Sequence, residues 1–195
     1  MPKVIKFAAI SPRHLNLNGD LGNLLVLQKR LAWRNVQSSI TELSESDSLA
    51  SFDYVFLGHG SPAAWSQLLS LNPRLLEDVL SYINNGGALL AVASAADQLQ
   101  ALLKGNPVTR GEWESRFVEQ DEVVGYLNTD SKSEYLVWHR NALLTQLHGP
   151  IFAKNPGLAD EVISNNGWSD VSQTSDELLE VNSLAAQSRK IAFDH

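Results

Sequence analysis

The chain has no cysteine and only one methionine. The absence of cysteine excludes disulfides, thiolate metal ligands and any thiol nucleophile. It carries no information about redox compartment. Basic residues are in the minority: 15 Lys and Arg against 22 Asp and Glu leave a net charge of -7, which gives no electrostatic footprint for a nucleic-acid partner. No window reaches the roughly 18 apolar residues that a membrane span needs. The opening Met1-Pro2-Lys3-Val4-Ile5 runs straight into a strand-like segment, without the apolar region and cleavage site of a signal peptide. A cytoplasmic location is therefore expected. No His, Asp or Glu grouping has metal-ligand spacing, so no metal is expected. The glycine-containing loop over residues 16–23 lacks the spacing of a phosphate loop or dinucleotide fingerprint, and no cofactor is expected. There is no internal repeat, low-complexity tract or composition break, so residues 1–195 read as one domain with one core.

What is present is an alternation of short apolar runs and helical patterns. Residues 4–10, 54–57 and 88–93 are continuous apolar runs of the kind found in buried strands, and residues 36–43 alternate as an edge strand does. Between them, Leu21, Leu24, Leu27 and Leu31 share one helical face, with Asp20 as N-cap and Lys29, Arg30 and Arg34 outside that face. A second helix has Leu75, Leu76, Val79, Leu80 and Ile83 on one face and stops at Asn84-Asn85-Gly86-Gly87. A third follows Ser94 to about residue 103. Residues 44–51 read as a polar connector. The pattern predicts an α/β fold of three layers, a mostly parallel sheet with helices on both faces. The second half differs. Residues 116–127 and 135–147 contain short β-type runs, residues 155–162 are helical behind Pro156, and an amphipathic helix covers residues 176–191.

Three stretches resemble the class I glutamine amidotransferases of the GatD, or CobB/CobQ-like, branch, the glutaminase subunits of lipid II isoglutaminyl synthase. They are Leu15-Asn16-Leu17-Asn18-Gly19-Asp20-Leu21-Gly22-Asn23, Val55-Phe56-Leu57-Gly58-His59-Gly60-Ser61, and Leu147-His148-Gly149-Pro150-Ile151-Phe152-Ala153-Lys154-Asn155-Pro156. They occur in the family's order and reach to about Val162; the tail after Ser164 is not covered. The resemblance implies a flavodoxin-like fold and a nucleophile on the turn after a buried strand. It also implies a histidine base at His148 and an oxyanion site built from backbone N–H groups. The family's Cys-Gly-Gly-Tyr-Gln segment is here Ala93-Ser94-Ala95-Ala96-Asp97-Gln98. Aligning Gln98 with the family glutamine puts Ser94 at the nucleophile position; a shift of one residue puts Ala93 there. Gly58, His59, Gly60 and Ala95 fall at the oxyanion positions, and Arg116 resembles an arginine that contacts glutamine. The segment between Lys104 and Arg140 is short against such relatives.

A thiol ionises near neutral pH when local charge helps, whereas a hydroxyl needs a well-oriented base throughout attack. No acid follows His148 at the second position, where Pro150 stands, so no third group is evident to orient the imidazole. The neighbours of Ser94 are alanines, which resist the positive φ of a nucleophile turn, so that turn is expected to have relaxed. His59 replaces a central glycine and narrows the approach. The chain therefore reads as a catalytically degenerate amidotransferase-like subunit, a pseudoenzyme. The resemblance further implies a Mur-ligase-like partner in amidation of peptidoglycan precursors. Two alternatives stand beside it. One is an active amidohydrolase using Ser94 and His148. The other is a non-catalytic module binding glutamine or a related small molecule. The tryptophans, Trp33, Trp65, Trp113, Trp138 and Trp168, are scattered and read as packing or interface residues.

Overall fold

The computed structural model describes residues 3–43 and 48–193. Residues 1–2 and the first half of the expected polar connector, residues 44–47, lie outside them. The main sheet has six strands: β1 (Ile5–Ile10), β2 (Ser38–Leu43), β3 (Tyr54–Leu57), β4 (Ala88–Val92), β7 (Leu136–His139) and β8 (Ala142–Thr145). Their order is β2-β1-β3-β4-β8-β7, with β2 on one edge. All pairs are parallel except β7 with β8, which form an antiparallel end.

The inner strands are apolar apart from Lys6 in β1 and Thr145 in β8, because both faces are covered. Along β1, Phe7 and Ala9 join one core cluster while Ala8 and Ile10 join the other, as the two-residue period of a strand requires. The first cluster takes Leu24, Leu27 and Leu31 from α1 (Gly22–Ala32). It also includes Phe152 of α5 (Ile151–Lys154) and Leu158 and Val162 of α6 (Pro156–Asn165). The second takes Trp65 and Leu68 of α2 (Pro62–Leu71), Val79 and Ile83 of α3 (Leu75–Asn84), and Leu99 of α4 (Ser94–Lys104). The three-layer α/β arrangement expected from the sequence is the one observed.

A second, antiparallel sheet is formed by β5 (Arg110–Gln120), β6 (Val123–Ser131) and the short β9 (Leu147–His148). Its hairpin turns at Asp121 and Glu122, both at positive φ, the two-residue geometry whose twist matches the flanking strands. This sheet delivers His148. The last described element is α7 (Asp176–Phe193).

Two expectations are corrected, and one helix is added. The expected helix over residues 75–84 is present as α3, and it is preceded by α2, which was not assigned from the sequence and which ends before Asn72-Pro73; Ser61 caps α2, accepting from the Ala64 N–H at 3.1 Å. Arg30 does not lie outside the buried face of α1. It is 1% exposed, because α6 and α7 cover the far side of that helix and supply Asp160 and Asn182 as partners. Asp20 does not cap α1 either: Leu21 holds the cap position, and the Asp20 carboxylate is used elsewhere.

Candidate functional site

In an open α/β sheet the carboxyl ends of the parallel strands meet the loops that can hold chemistry. Here the loops after β1, β3 and β4 meet there, joined by the segment after β9. Asp20, fully buried, fastens them. Its Oδ2 accepts the His59 N–H at 2.9 Å and its Oδ1 the Gly149 N–H at 2.8 Å. Asn23 adds a second clamp: its side-chain amide donates to the Gly149 carbonyl, and its Oδ1 accepts the Phe152 N–H. The glycines of the loop after β3 are there for close approach. A Cβ on Gly58 would lie 2.1 Å from the Leu15 carbonyl oxygen, and one on Gly60 2.4 Å from the Leu15 side chain.

The turn from β4 into α4 is sharp, and its strained residue is Ala93, at φ 50° and ψ -110°. The turn has therefore not relaxed, contrary to expectation. Such a conformation costs about 1–3 kcal/mol for a residue with a Cβ and persists only when its surroundings hold it. Two of those holds are hydrogen bonds from the Ala93 N–H to the Thr145 carbonyl and from the Asp97 N–H to the Ala93 carbonyl. A nucleophile raised on a strand-to-helix turn sits at the strained residue itself. That residue carries a methyl group here, and Ser94 is the first residue of the helix behind it. With the corner at Ala93, the next amide is that of Ser94; Ala95 is packed in the core.

The Ser94 hydroxyl turns toward the glycine loop. Its oxygen accepts the Gly60 N–H at 3.0 Å and the Trp65 indole N–H at 2.8 Å, and lies 3.0 Å from His59 Nδ1 and 3.1 Å from the Gly60 carbonyl. The Ser94 N–H points to His59 Nδ1 at 3.4 Å. His148 is not among these partners. It meets His59 ring edge to ring face, centroids 4.8 Å apart, and its Nδ1 is hydrogen-bonded by the Asn18 side chain. Its Nε2 is buried and makes no hydrogen bond among the described residues. Burial lowers the pKa of His148, and nearby His59 lowers it further against the opposing pull of Asp20 and the Asn128 backbone. Burial likewise lowers that of His59, with Asp20 and Asp97 opposing.

Arg116 is not brought to this site. It is paired in register with Leu127, and Leu127 with Leu147. The alternation of the strands therefore puts it on the opposite face of the small sheet from His148, where it bonds Glu114 at 2.8 Å. Sequence reasoning missed the bond of Asn18 to His148 Nδ1 and the polar use of Trp65, 4% exposed and otherwise a core residue. Neither carried a spacing signal. A cavity of about 920 Å³ lies elsewhere, lined by Phe52, Asp78, Tyr82 and Asn85 among others; none of Gly58, His59, Gly60, Ala93, Ser94 or His148 lines it. Among the described residues no group of three or more His, Asp or Glu could hold a metal ion, and no helix is long and apolar enough to cross a membrane.

The fold is that of the class I glutamine amidotransferases. A glutamine amidotransferase from Thermotoga maritima superposes with a TM-score of 0.53 at 12% identity, covering 97% of this chain and 94% of that one. A putative GMP synthase subunit from Thermoplasma acidophilum gives 0.50 at 16% identity, covering 98% of each chain. In sequence, the chain is distantly similar to the GatD subunit of the glutamine-hydrolysing lipid II isoglutaminyl synthase of Staphylococcus aureus strain N315. They share 24% identity over 191 residues, covering 76% of this chain and 79% of GatD. No family model matches the chain.

Proposed function

We propose that this chain is a glutamine amidotransferase-like subunit that does not hydrolyse glutamine. In this reading it acts through association with a Mur-ligase-like enzyme in the amidation of cell-wall precursors, in the cytoplasm. The observation that carries the reading is the methyl group of Ala93 at the strained corner after β4. Amide hydrolysis on this fold needs a group there that can attack carbon, and no proton transfer can make one of a methyl. The long loop clamps through Asp20 and Asn23 are intact beside it, which fits a fold kept for what it presents to a partner. The distant likeness to a component of lipid II isoglutaminyl synthase supports the choice of partner class.

The 3.0 Å contact between Ser94 and His59 Nδ1 favours a second reading, a serine hydrolase with His59 as base in place of His148. It is the weaker one. The donors that would stabilise a tetrahedral oxyanion, the Gly60 N–H and the Trp65 indole N–H, are bonded to the Ser94 oxygen itself. A nucleophile seated among its own oxyanion donors leaves none for the substrate.

Ammonia release from glutamine, measured for the chain alone and with a Mur-ligase-like partner, tests the proposal. No release above buffer and a stable complex are expected. Turnover abolished by Ser94→Ala, together with labelling of Ser94 by a serine-directed phosphonate, would establish the second reading instead.

A further inference from the structure

We infer that the Ser94 hydroxyl is a built-in occupant of the site's anion hole, an intramolecular plug that bars a ligand carbonyl or carboxylate oxygen from it. The inference deepens the non-hydrolytic reading and rests on Ala93 being the corner residue. Three backbone N–H groups surround the corner, and each is already used within the chain. That of His59 goes to Asp20, that of Gly60 to the Ser94 hydroxyl, and that of Ser94 toward His59 Nδ1. The Trp65 indole N–H, a donor-only group held in the core, adds a further bond to the same hydroxyl. The hydroxyl oxygen thus accepts from two converging donors, and its own proton has two acceptors in reach, the Gly60 carbonyl and His59 Nδ1. Its hydrogen-bonding capacity is filled.

Two donors converging on one oxygen in a half-buried corner form the arrangement that binds a developing oxyanion. What differs is who supplies the oxygen. Ser94 comes from the first turn of α4 and Gly60 from the loop after β3, so the plug also ties the helix to the loop. A ligand oxygen could enter only by displacing a hydroxyl that the chain supplies at no cost in translational entropy, a handicap that external ligands carry. Restoring a thiol at residue 93 would not by itself clear the hole, because the hydroxyl that fills it belongs to residue 94.

The test uses the full-length protein and the NMR signals of the Gly60 amide and the Trp65 indole N–H, titrated with acetate and with propionamide. These probes present a carboxylate and an amide oxygen without the rest of glutamine. In the wild-type chain neither signal is expected to shift saturably at tens of millimolar probe. In Ser94→Gly both should shift together, with binding at least about tenfold tighter than in wild type. Ser94→Ala serves as the second variant should glycine loosen the turn, and a folded spectrum is required of whichever is used. Equal binding by wild type and variant would overturn the inference, because the hole would then be open. No binding by a folded variant would overturn it too, because the donors would then not form an anion hole. Neither readout depends on turnover, so ammonia release by the wild-type chain would sink the non-hydrolytic reading separately.

Discussion

At the scale of single residues, the site turns on a one-position difference. The sequence permits either Ala93 or Ser94 at the nucleophile turn, and a glutamine a few places further on cannot choose between them. Backbone geometry can: the positive φ falls on Ala93. The corner is strained at Ala93, and on the proposed reading that is a nucleophile turn without its nucleophile. Introducing a thiol there gives a sharp check, since the chain has no other cysteine. The Ala93→Cys side chain would sit at the N-terminus of α4, where the helix dipole favours the thiolate. Its alkylation by iodoacetamide, followed by mass spectrometry against pH, should have a midpoint below the value of about 8.5 for a free thiol. The same variant should still release no ammonia from glutamine while Ser94 occupies Gly60 and Trp65. The role of Asn18 beside His148 was illegible for a different reason. It depends on a loop fold joining residues 130 positions apart, and no local pattern encodes that.

At the scale of elements, α1 and α6 are joined by an ion cluster that periodicity alone misplaces. Arg30 reaches Asp160 through Nε and Nη2, and Arg34 reaches the same carboxylate at 2.9 Å. Asp160 is thus the shared counter-ion of two guanidiniums that are almost wholly buried. Desolvation by that burial lowers the pKa of Arg34, against the pull of Asp160. Removing the carboxylate would strand both charges. Asp160→Ala is expected to cost about 3–5 kcal/mol in stability, read as a shift of the urea midpoint. Changing one exposed partner of the surface pair Lys104–Glu134 should cost less than about 1 kcal/mol. The helix face was legible in its leucines. The burial of its arginines was not, because a helix viewed alone cannot show that two later helices cover its other side.

At the scale of the whole molecule, the order of apolar strands and amphipathic helices was enough to state the layers, since β1, β3 and β4 are covered on both faces and so read as largely apolar runs. The separate three-stranded sheet was not legible as a unit, because the strand that opens it is mostly exposed and β9 has only two residues. Stability should follow pH through the two central imidazoles. Both have pKa values lowered by burial, so the folded chain resists protons that the unfolded chain accepts. Between the ordinary histidine value of about 6.5 and the lower folded values, the unfolded state binds more protons, and stability falls as pH falls. Thermal unfolding from pH 8 to pH 5 should show this decline. It should be shallower in His59→Gln, which lacks one of the titrating rings; an unchanged slope would place the linkage elsewhere.

The two-oxygen grip of Asp20 on His59 and Gly149 has a consequence for how the corner comes into being. Its partners lie 39 and 129 positions along the chain. During synthesis the first amide is available once the third strand has emerged, but the second only after β8 and β9 have followed it. Until then one buried carboxylate oxygen waits without its donor, so the corner is completed late, after the parallel strands that support it.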